Sequence, residues 1–421
     1  MRDLTKVVGL IGLAGSIAVA GACSATGRSS VFDDDDDDGT KVDTDGNTGG
    51  GGSNEGGSNL GFGGSLGSGG STSAGGTNCT SQPGDDADMD GWVFPQDCND
   101  CDANVNPAAI EVVGNASSGT GGSGGGSYVP ADENCDGMVD NAPAPCDATL
   151  ALEDSNPMHA AQAIDLCRVA SGAHDWGVVS AQYVRANGQP VGSATNQYGI
   201  FTNFGPNVTP RGGQRMLGIA TGTARIPGQN GACNSNSCAG LGPGQAPSGF
   251  PQDVANCQGQ SNINDDIALE VQLRAPSNAT GYKFNFNFYS FEYPEFVCTA
   301  WNDQFIALVN PPPMGSVNGN ISFDSQQNPV SVNVAFFDVC QGCPLGTAEL
   351  MGNGFDTWDD AGATSWLATS APIAGGELFS IRFAIWDTGD QAWDSTALID
   401  NFEWIANGGT VVVGTEPDMP E

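Results

Sequence analysis

The chain is poor in basic side chains: Lys and Arg together number 12, against 49 Asp and Glu, and there are only two His among 421 residues. The formal net charge of −37 excludes nucleic acid as a partner, because too few cations are present to neutralise phosphates. Histidine chemistry has little support, since only His159 and His174 are available. No serine or cysteine nucleophile motif occurs, and no glycine-rich phosphate loop that opens a helix. The acidity suits binding of divalent cations and solubility outside the cell.

The N-terminal apolar run, Val7 to Ala22, has only 16 residues, fewer than the roughly 20 that a membrane-spanning helix needs. It follows two basic residues, so residues 1–22 are interpreted as a signal peptide. The sequence Ala20-Gly21-Ala22-Cys23 resembles the lipobox of bacterial lipoproteins, which implies lipidation of Cys23 and attachment to a membrane. Ser24, the residue after the cysteine, favours localisation to the outer membrane if the cell has two membranes. The alternative is ordinary secretion with a free Cys23.

Residues 23–78 have almost no apolar content, and six consecutive aspartates run from Asp33 to Asp38. Gly, Ser, Asn and Thr dominate the rest. Such a segment cannot bury a core, so we predict a disordered acidic Gly/Ser-rich tether. Residues 408–421 are predicted to be a disordered acidic tail.

The cysteines indicate an oxidising compartment. Of 13 cysteines, 12 remain once Cys23 is set aside, which permits six disulfides. A module boundary at Pro143 to Pro145 leaves an even number of cysteines on each side, so both modules can close internally. The connectivity within each module stays open. Four lie before the boundary (Cys79, Cys98, Cys101, Cys135) and eight after it (Cys146, Cys167, Cys233, Cys238, Cys257, Cys298, Cys340, Cys343). The Cys340-Gln-Gly-Cys343 pair is compatible with redox chemistry, but a structural clasp of a loop is favoured.

Residues 86 to 97 place carboxylates at loop positions 1, 3, 5 and 12 and a glycine at position 6. Ca²⁺ takes six to eight oxygens at about 2.4 Å, and alternate residues of a tight loop can all point inward. We therefore predict a Ca²⁺ site. The ligands are the side chains of Asp86, Asp88, Asp90 and Asp97 and the backbone carbonyl of Trp92. The alternative is a solvated, disordered acidic stretch, but the glycine at loop position 6 favours a metal-binding loop.

A looser copy of the loop follows at residues 132–140. Its positions 1, 3, 5 and 9 are Asp132, Asn134, Asp136 and Asp140, with Gly137 at position 6. Between the two loops, further candidate oxygens come at short spacing from Asn99, Asp100, Asp102 and Asn104.

This segment resembles the MopE-type metal-binding motif, which is related in logic to thrombospondin type 3 calcium repeats. The resemblance rests on Asp88-Met-Asp-Gly, Asp97-Cys-Asn-Asp, Ala103-Asn-Val-Asn-Pro-Ala, Ile110-Glu-Val and Asn134-Cys-Asp-Gly-Met-Val-Asp. It implies a calcium-binding module over residues 79–143. A Gly/Ser insert, Gly114 to Ser127, separates the two parts of the motif here.

From 145 to 407 the composition changes to strand-like alternation with regular Gly, Pro and Asn breaks. Many short strands with turn residues between them predict an all-β fold, a β-sandwich or jelly roll. The predicted strands are Ile267 to Leu273, Tyr282 to Tyr289, Val330 to Val339, Leu378 to Trp386 and Thr396 to Ile405. One helix is predicted near the start, where Asn156 can cap, Pro157 suits the first turn and Ala160 to Cys167 follow.

This region resembles the choice-of-anchor L domain of bacterial surface proteins. The matching residues are Met158 to Cys167, Gly199-Ile-Phe-Thr-Asn, Met216-Leu-Gly-Ile-Ala-Thr-Gly, Asn264-Asp-Asp-Ile-Ala-Leu-Glu and, most specifically, Phe284 to Phe305. Where the family has Glu-Glu-Tyr, this chain has Phe291-Glu292-Tyr293. The resemblance implies a surface protein and names no ligand. We predict a non-enzymatic, lipid-anchored protein that captures a glycan or a surface protein, and leave its oligomeric state open.

The alternative is a secreted carbohydrate-active hydrolase that uses Glu292, Glu295 and Asp303, since glycoside hydrolysis needs two carboxylates about 5 to 10 Å apart. Convergence of Glu292 and Glu295 in one cleft would favour it. Four tryptophans can be read as sugar-stacking surfaces or as core residues: Trp358, Trp366, Trp386 and Trp393. The aspartates that flank the last two can be read as a calcium site at the sandwich edge or as turn residues: Asp387, Asp390, Asp394 and Asp400.

Overall fold

The structure is a computed structural model that describes residues 79–113, 130–192, 195–334, 336–358, 360–406 and 409–418. All of them fall within one compact unit. The predicted signal peptide, the predicted tether and Cys23 lie outside the described residues. No helix in the described part of the chain has the length and apolarity that crossing a membrane requires.

The described residues form two antiparallel sheets, which confirms the predicted all-β sandwich. The strands are β1 (Gly177–Val184), β2 (Tyr198–Phe201), β3 (Met216–Ala220), β4 (Ile263–Arg274), β5 (Gly281–Ser290), β6 (Gln304–Asn310), β7 (Val330–Ser331), β8 (Gly362–Pro372), β9 (Leu378–Thr388), β10 (Ser395–Ile405) and β11 (Gly414–Pro417). The five-stranded sheet has the order β1-β4-β9-β6-β7, and the six-stranded sheet has the order β11-β8-β5-β10-β3-β2. Two short 3-10 turns, Ala348–Leu350 and Phe355–Thr357, precede β8.

The core lies between the two sheets and follows from the period of two along the strands. Leu269 and Val271 of β4 meet Phe284 and Phe286 of β5 in one buried cluster. The predicted inward faces of both strands are therefore confirmed. Each fully buried side chain of this kind contributes about 1.5 to 3 kcal/mol relative to an exposed one.

Loops cover the outer faces of both sheets, so most strands are buried on both sides. Phe204, Tyr289 and Phe355 belong to a second buried cluster on the six-stranded sheet. Trp386 packs in a third cluster on the five-stranded sheet, with Phe250 against it at 6.1 Å between ring centroids. The long loops of the sequence therefore serve as packing layers.

Helix α1 (Pro157–Gln162) begins as predicted but is shorter. The side chain of Asn156 accepts a hydrogen bond from the backbone N–H of Met158 at 3.0 Å, and Pro157 lies in the first turn. The prediction that the helix reaches Cys167 is wrong. Ala163 caps the helix, and Asp165 has a φ of +68°, which an α-helix cannot contain.

Two further predictions need correction. Of the strand predicted over Val330 to Val339, only β7 is formed, because the backbone turns at the bond from the N–H of Val334 to the carbonyl of Ser331. The predicted acidic tail, 408–421, includes β11, which pairs with β8 at the edge of the six-stranded sheet. That part of the tail belongs to the sheet.

The six disulfides respect the predicted boundary between the two modules. The pairs are Cys79–Cys101, Cys98–Cys135, Cys146–Cys167, Cys233–Cys238, Cys257–Cys298 and Cys340–Cys343. The first two close the acidic module and the other four close the sandwich region. Cys340 and Cys343 are bonded to each other, which the favoured interpretation as a loop clasp and the redox alternative both allow.

The acidic module is docked on one end of the sandwich. Two hydrogen bonds join the side chain of Asn278 to the backbone of Ile110. Its Oδ1 accepts the N–H of Ile110 at 3.0 Å, and its Nδ2 donates to the carbonyl of Ile110 at 2.8 Å. Ser277 donates its N–H to the carbonyl of Ala108 and its hydroxyl to the side chain of Asn106. These bonds hold the C-terminal side of the first predicted calcium loop in a fixed position.

Candidate metal site

The first predicted loop folds into a tight turn that gathers its carboxylates. Gly91, at position 6, has a φ of +95°, a conformation that glycine adopts without steric cost. Two overlapping groups have oxygens within 4.8 Å of one another: Asp86, Asp88 and Asp100 in one, and Asp88, Asp90 and Asp97 in the other. The four predicted carboxylates therefore divide between two adjoining groups that share Asp88, and Asp100, predicted as an additional oxygen, joins the group of Asp86.

The carboxylates of this loop leave oxygens unused. Asp88, Asp97 and Asp100 each accept one backbone N–H through Oδ1. The donors are Asp90, Asn99 and Ala87, at 3.3, 2.8 and 3.0 Å respectively. The Oδ2 of each of the three, together with Oδ1 of Asp86, is buried and has no hydrogen-bond partner. Asp97 is 0% exposed and Asp100 is 1% exposed. Buried acceptors without a partner are rare, and a cation is one of the few arrangements that satisfies them.

The electrostatics of the loop point the same way. Burial, with the charges of Asp90, Asp88 and Asp100, raises the pKa of Asp97 to about 6. Burial and neighbouring carboxylates also raise the pKa of Asp88. Clustered anions out of water need either protons or a cation, and a bound dication reverses the sign of the local field.

Other predicted ligands have local roles. The backbone N–H of Trp92 donates to Oδ1 of Asp90 at 2.8 Å, which shapes the turn. Asp102 accepts from the backbone N–H and the side-chain amide of Asn104 and belongs to neither carboxylate group. The side chain of Asn106, which the sequence did not single out, donates to Oδ2 of Asp90 at 2.7 Å.

The second predicted loop differs from the first. Asp132 accepts the N–H groups of Asp136 and Gly137 with its two oxygens. Asp136 accepts the N–H of Met138 and the side chain of Asn141. Asn134 accepts the N–H of Asp136. All four carboxylate oxygens of Asp132 and Asp136 are thus engaged by the loop itself, and Asp140 is not grouped with them.

Asp140 is grouped instead with two glutamates that sequence reasoning missed, Glu111 and Glu133. Glu111 accepts the backbone N–H groups of Asn134 and Asp140 at 3.1 and 2.7 Å. It ties the second loop to the strand-like segment before the Gly/Ser insert. The Ile110-Glu-Val part of the motif carried Glu111, so the sequence did hold a sign of it.

The carboxylates of the hydrolase alternative are brought together only in part. Glu292 and Asp303 lie together with Asp387, and all three are buried. Glu295 is exposed and interacts with Asp360. Glu295 is therefore not grouped with Glu292, whereas Glu292 and Asp303, two of the three carboxylates of the hydrolase alternative, do lie together.

The four tryptophans and the four flanking aspartates named from the sequence do not share one environment. Trp366 and Trp386 are 7% and 0% exposed, so they are core residues, whereas Trp358 is 46% exposed. The four flanking aspartates do not form one edge site. Asp394 accepts the backbone N–H of Cys238, and Asp400 accepts that of Arg211.

A disulfide-bonded antiparallel sandwich that carries an acidic, ligand-rich module is typical of proteins outside the cytosol. A family model described as the Choice-of-anchor L domain matches residues 160–402. The chain therefore belongs to this family, which indicates a surface-associated protein and is not known for enzymatic activity. No curated protein matches the sequence, and no solved structure matches the fold.

Proposed function

We propose that this is a lipid-anchored cell-surface protein whose acidic module binds Ca²⁺ and which presents the disulfide-bonded sandwich for adhesion or ligand binding. The observation that carries the calcium proposal is the first loop, where four buried carboxylate oxygens have no hydrogen-bond partner. Oxygen ligands at such spacing are the donor set of a hard cation. The residues that would hold the ion are Asp86, Asp88, Asp90, Asp97 and Asp100, with the carbonyl of Trp92 as predicted from the sequence. The second loop stays a sequence prediction.

The role of the ion follows from where the module is attached. The first loop is closed by the Cys79–Cys101 bridge and joined to the sandwich through Asn106 and Ile110. Described residues of the module contain no regular helix or strand. Ion binding would therefore supply much of the order of this segment, because it neutralises the carboxylates that otherwise repel one another.

Calcium should protect the module from proteolysis. Extracellular modules bind Ca²⁺ at about 0.1 to 1 mM, so cleavage within residues 79–113 of the full chain should slow as millimolar Ca²⁺ is added. Asp88→Ala and Asp90→Ala should each remove the protection. Asp102→Asn is the matched control, since Asp102 lies outside both carboxylate groups. Equal protection of wild type and Asp88→Ala would refute the loop assignment.

Membrane attachment depends on Cys23 in this proposal. Cys23→Ser should move the protein from the detergent phase to the aqueous phase, because several buried acyl chains hold a lipoprotein at about 0.8 kcal/mol per methylene. Ser24→Ala, which leaves the cysteine in place, should still partition with detergent. Unchanged partitioning of Cys23→Ser contradicts lipid anchoring and leaves the calcium proposal untouched.

A further inference from the structure

Three carboxylates from the two sheets meet at one end of the sandwich, outside the acidic module. Glu292 follows β5 of the six-stranded sheet by two residues. Asp303 immediately precedes β6, and Asp387 lies near the end of β9, both in the five-stranded sheet. One oxygen from each lies within 4.8 Å of the others. Antiparallel pairing of β6 with β9, which sets Gln304 opposite Trp386, brings the two aspartates to the same end.

These carboxylates are buried and incompletely satisfied. Glu292 is 1% exposed, and Asp303 and Asp387 are 0% exposed. Glu292 accepts the backbone N–H of Asp303 at 3.2 Å, and Oδ1 of Asp303 accepts that of Thr388 at 3.1 Å. Both oxygens of Asp387 have no hydrogen-bond partner. Asp303 also interacts with the side chain of Ser395. None of the ion pairs formed by described residues includes any of the three.

We propose that Glu292, Asp303 and Asp387 bind one Ca²⁺ ion inside the sandwich, at a site separate from the acidic module. Buried anions require a compensating charge, and no side-chain cation supplies it here. Two oxygens bound to one Ca²⁺ at about 2.4 Å lie at most about 4.8 Å apart, and the three oxygens lie within that distance of one another. Ca²⁺ accepts a set of protein carboxylates in flexible geometry, whereas Mg²⁺ usually keeps several of its waters, so a buried cluster of three carboxylates favours Ca²⁺.

The competing occupant is a set of protons. Burial and the charges of neighbouring carboxylates raise the pKa of Glu292, of Asp303 and of Asp387, so the cluster holds protons when no cation is present. A cation removes this requirement at neutral pH. Bound protons and a bound cation can be told apart because only binding of the cation depends on added metal.

The ion would join three strand ends. Glu292 and Asp303 bound the loop between β5 and β6, and Asp387 lies in β9. The same loop carries Trp301, which is 38% exposed and packs edge-on against Phe296 with ring centroids 5.7 Å apart. Binding at its base would therefore fix this aromatic surface relative to both sheets.

Equilibrium dialysis of the full chain tests the site. EDTA-stripped wild type, dialysed against millimolar Ca²⁺, should bind one more ion per chain than Asp387→Asn. The loop variant Asp88→Asn/Asp97→Asn should lose its own ion and keep the sandwich ion. Failure of the acidic loop and failure of the sandwich site are therefore separate outcomes. Asp324→Asn is the control for removal of a buried acid, because hydrogen bonds from Gln326 and Asn328 occupy both oxygens of Asp324.

Thermal unfolding separates a ligand role from a structural one. In EDTA, Asp387→Asn should unfold at the same temperature as wild type or higher, since the amide is neutral without a bound proton or cation, while the rise that Ca²⁺ gives wild type should be reduced. Glu292→Gln, which keeps an acceptor for the N–H of Asp303, should behave likewise and serves if Asp387→Asn does not fold. Unchanged stoichiometry in both folded variants overturns the site in favour of protons. Equal binding of Mg²⁺ at equal concentration overturns the assignment to Ca²⁺.

Discussion

Removal of the Cys257–Cys298 bridge should lower the free energy of unfolding by about 4 kcal/mol. The bridge spans a sequence separation of 41 residues and restricts the unfolded chain accordingly. It also fastens the loop between β5 and β6 to the segment before β4, so its loss loosens the native loop as well. Chemical denaturation of the Cys257→Ser/Cys298→Ser variant, at fixed Ca²⁺ concentration, measures the change.

The Cys233–Cys238 bridge provides the matched comparison, because its sequence separation is only 5 residues. Loop-closure entropy gives about 2 kcal/mol for a bridge of that length, roughly half the effect of the longer one. Equal losses from the two double variants would show that native-state contacts, and not the entropy of the unfolded chain, set the stabilisation.

The sandwich could be predicted from sequence where apolar and polar residues alternate along an uninterrupted strand. In β4 and β5, Leu269 and Phe286 fall on the inward faces that a period of two requires. The strand predicted at Val330 to Val339 failed because burial alone does not specify extended backbone. Val332 and Val339 are buried in the core, yet the chain turns between them. Their apolar character reflects packing against the sandwich.

The two candidate metal sites also differ in whether the sequence alone could predict them. The first calcium loop is local, so the spacing of Asp86, Asp88 and Asp90 around Gly91 was sufficient to find it. The sandwich cluster joins Glu292 to Asp387 across 94 intervening positions in the sequence, and only the sheet register brings them together. Cysteine parity likewise predicted the number of bridges, whereas their pairing depends on three-dimensional contacts.

Asp400 should make the protein less stable as the pH rises from about 4 to about 8. Asp400 is 0% exposed, and burial, with the charge of Asp165, raises its pKa to about 8. Hydrogen bonds from the backbone N–H groups of Arg211 and Asn401 lower the pKa, but not enough to offset the burial. A carboxyl whose pKa is higher in the folded state stabilises the fold below the unfolded pKa, near 3.8, and loses that contribution as the pH approaches the folded pKa. The loss is on the order of 5 kcal/mol, at about 1.4 kcal/mol per pKa unit.

Asp400→Asn keeps an acceptor for Arg211 and cannot ionise, so its stability relative to wild type should rise steadily between pH 4 and pH 8 in denaturation experiments at constant Ca²⁺. Asp175→Asn should show the opposite dependence. Although burial opposes it, hydrogen bonds from Ser171 and Arg168 lower the pKa of Asp175 to about 2. Its contribution is present above about pH 4 and is lost as the pH falls toward 2, so the difference between Asp175→Asn and wild type should shrink in acid. Parallel pH profiles for Asp400→Asn and wild type would show that Asp400 is not protonated in the folded protein and that Arg211, Asn401 and Gly212 stabilise its charge fully through their N–H groups.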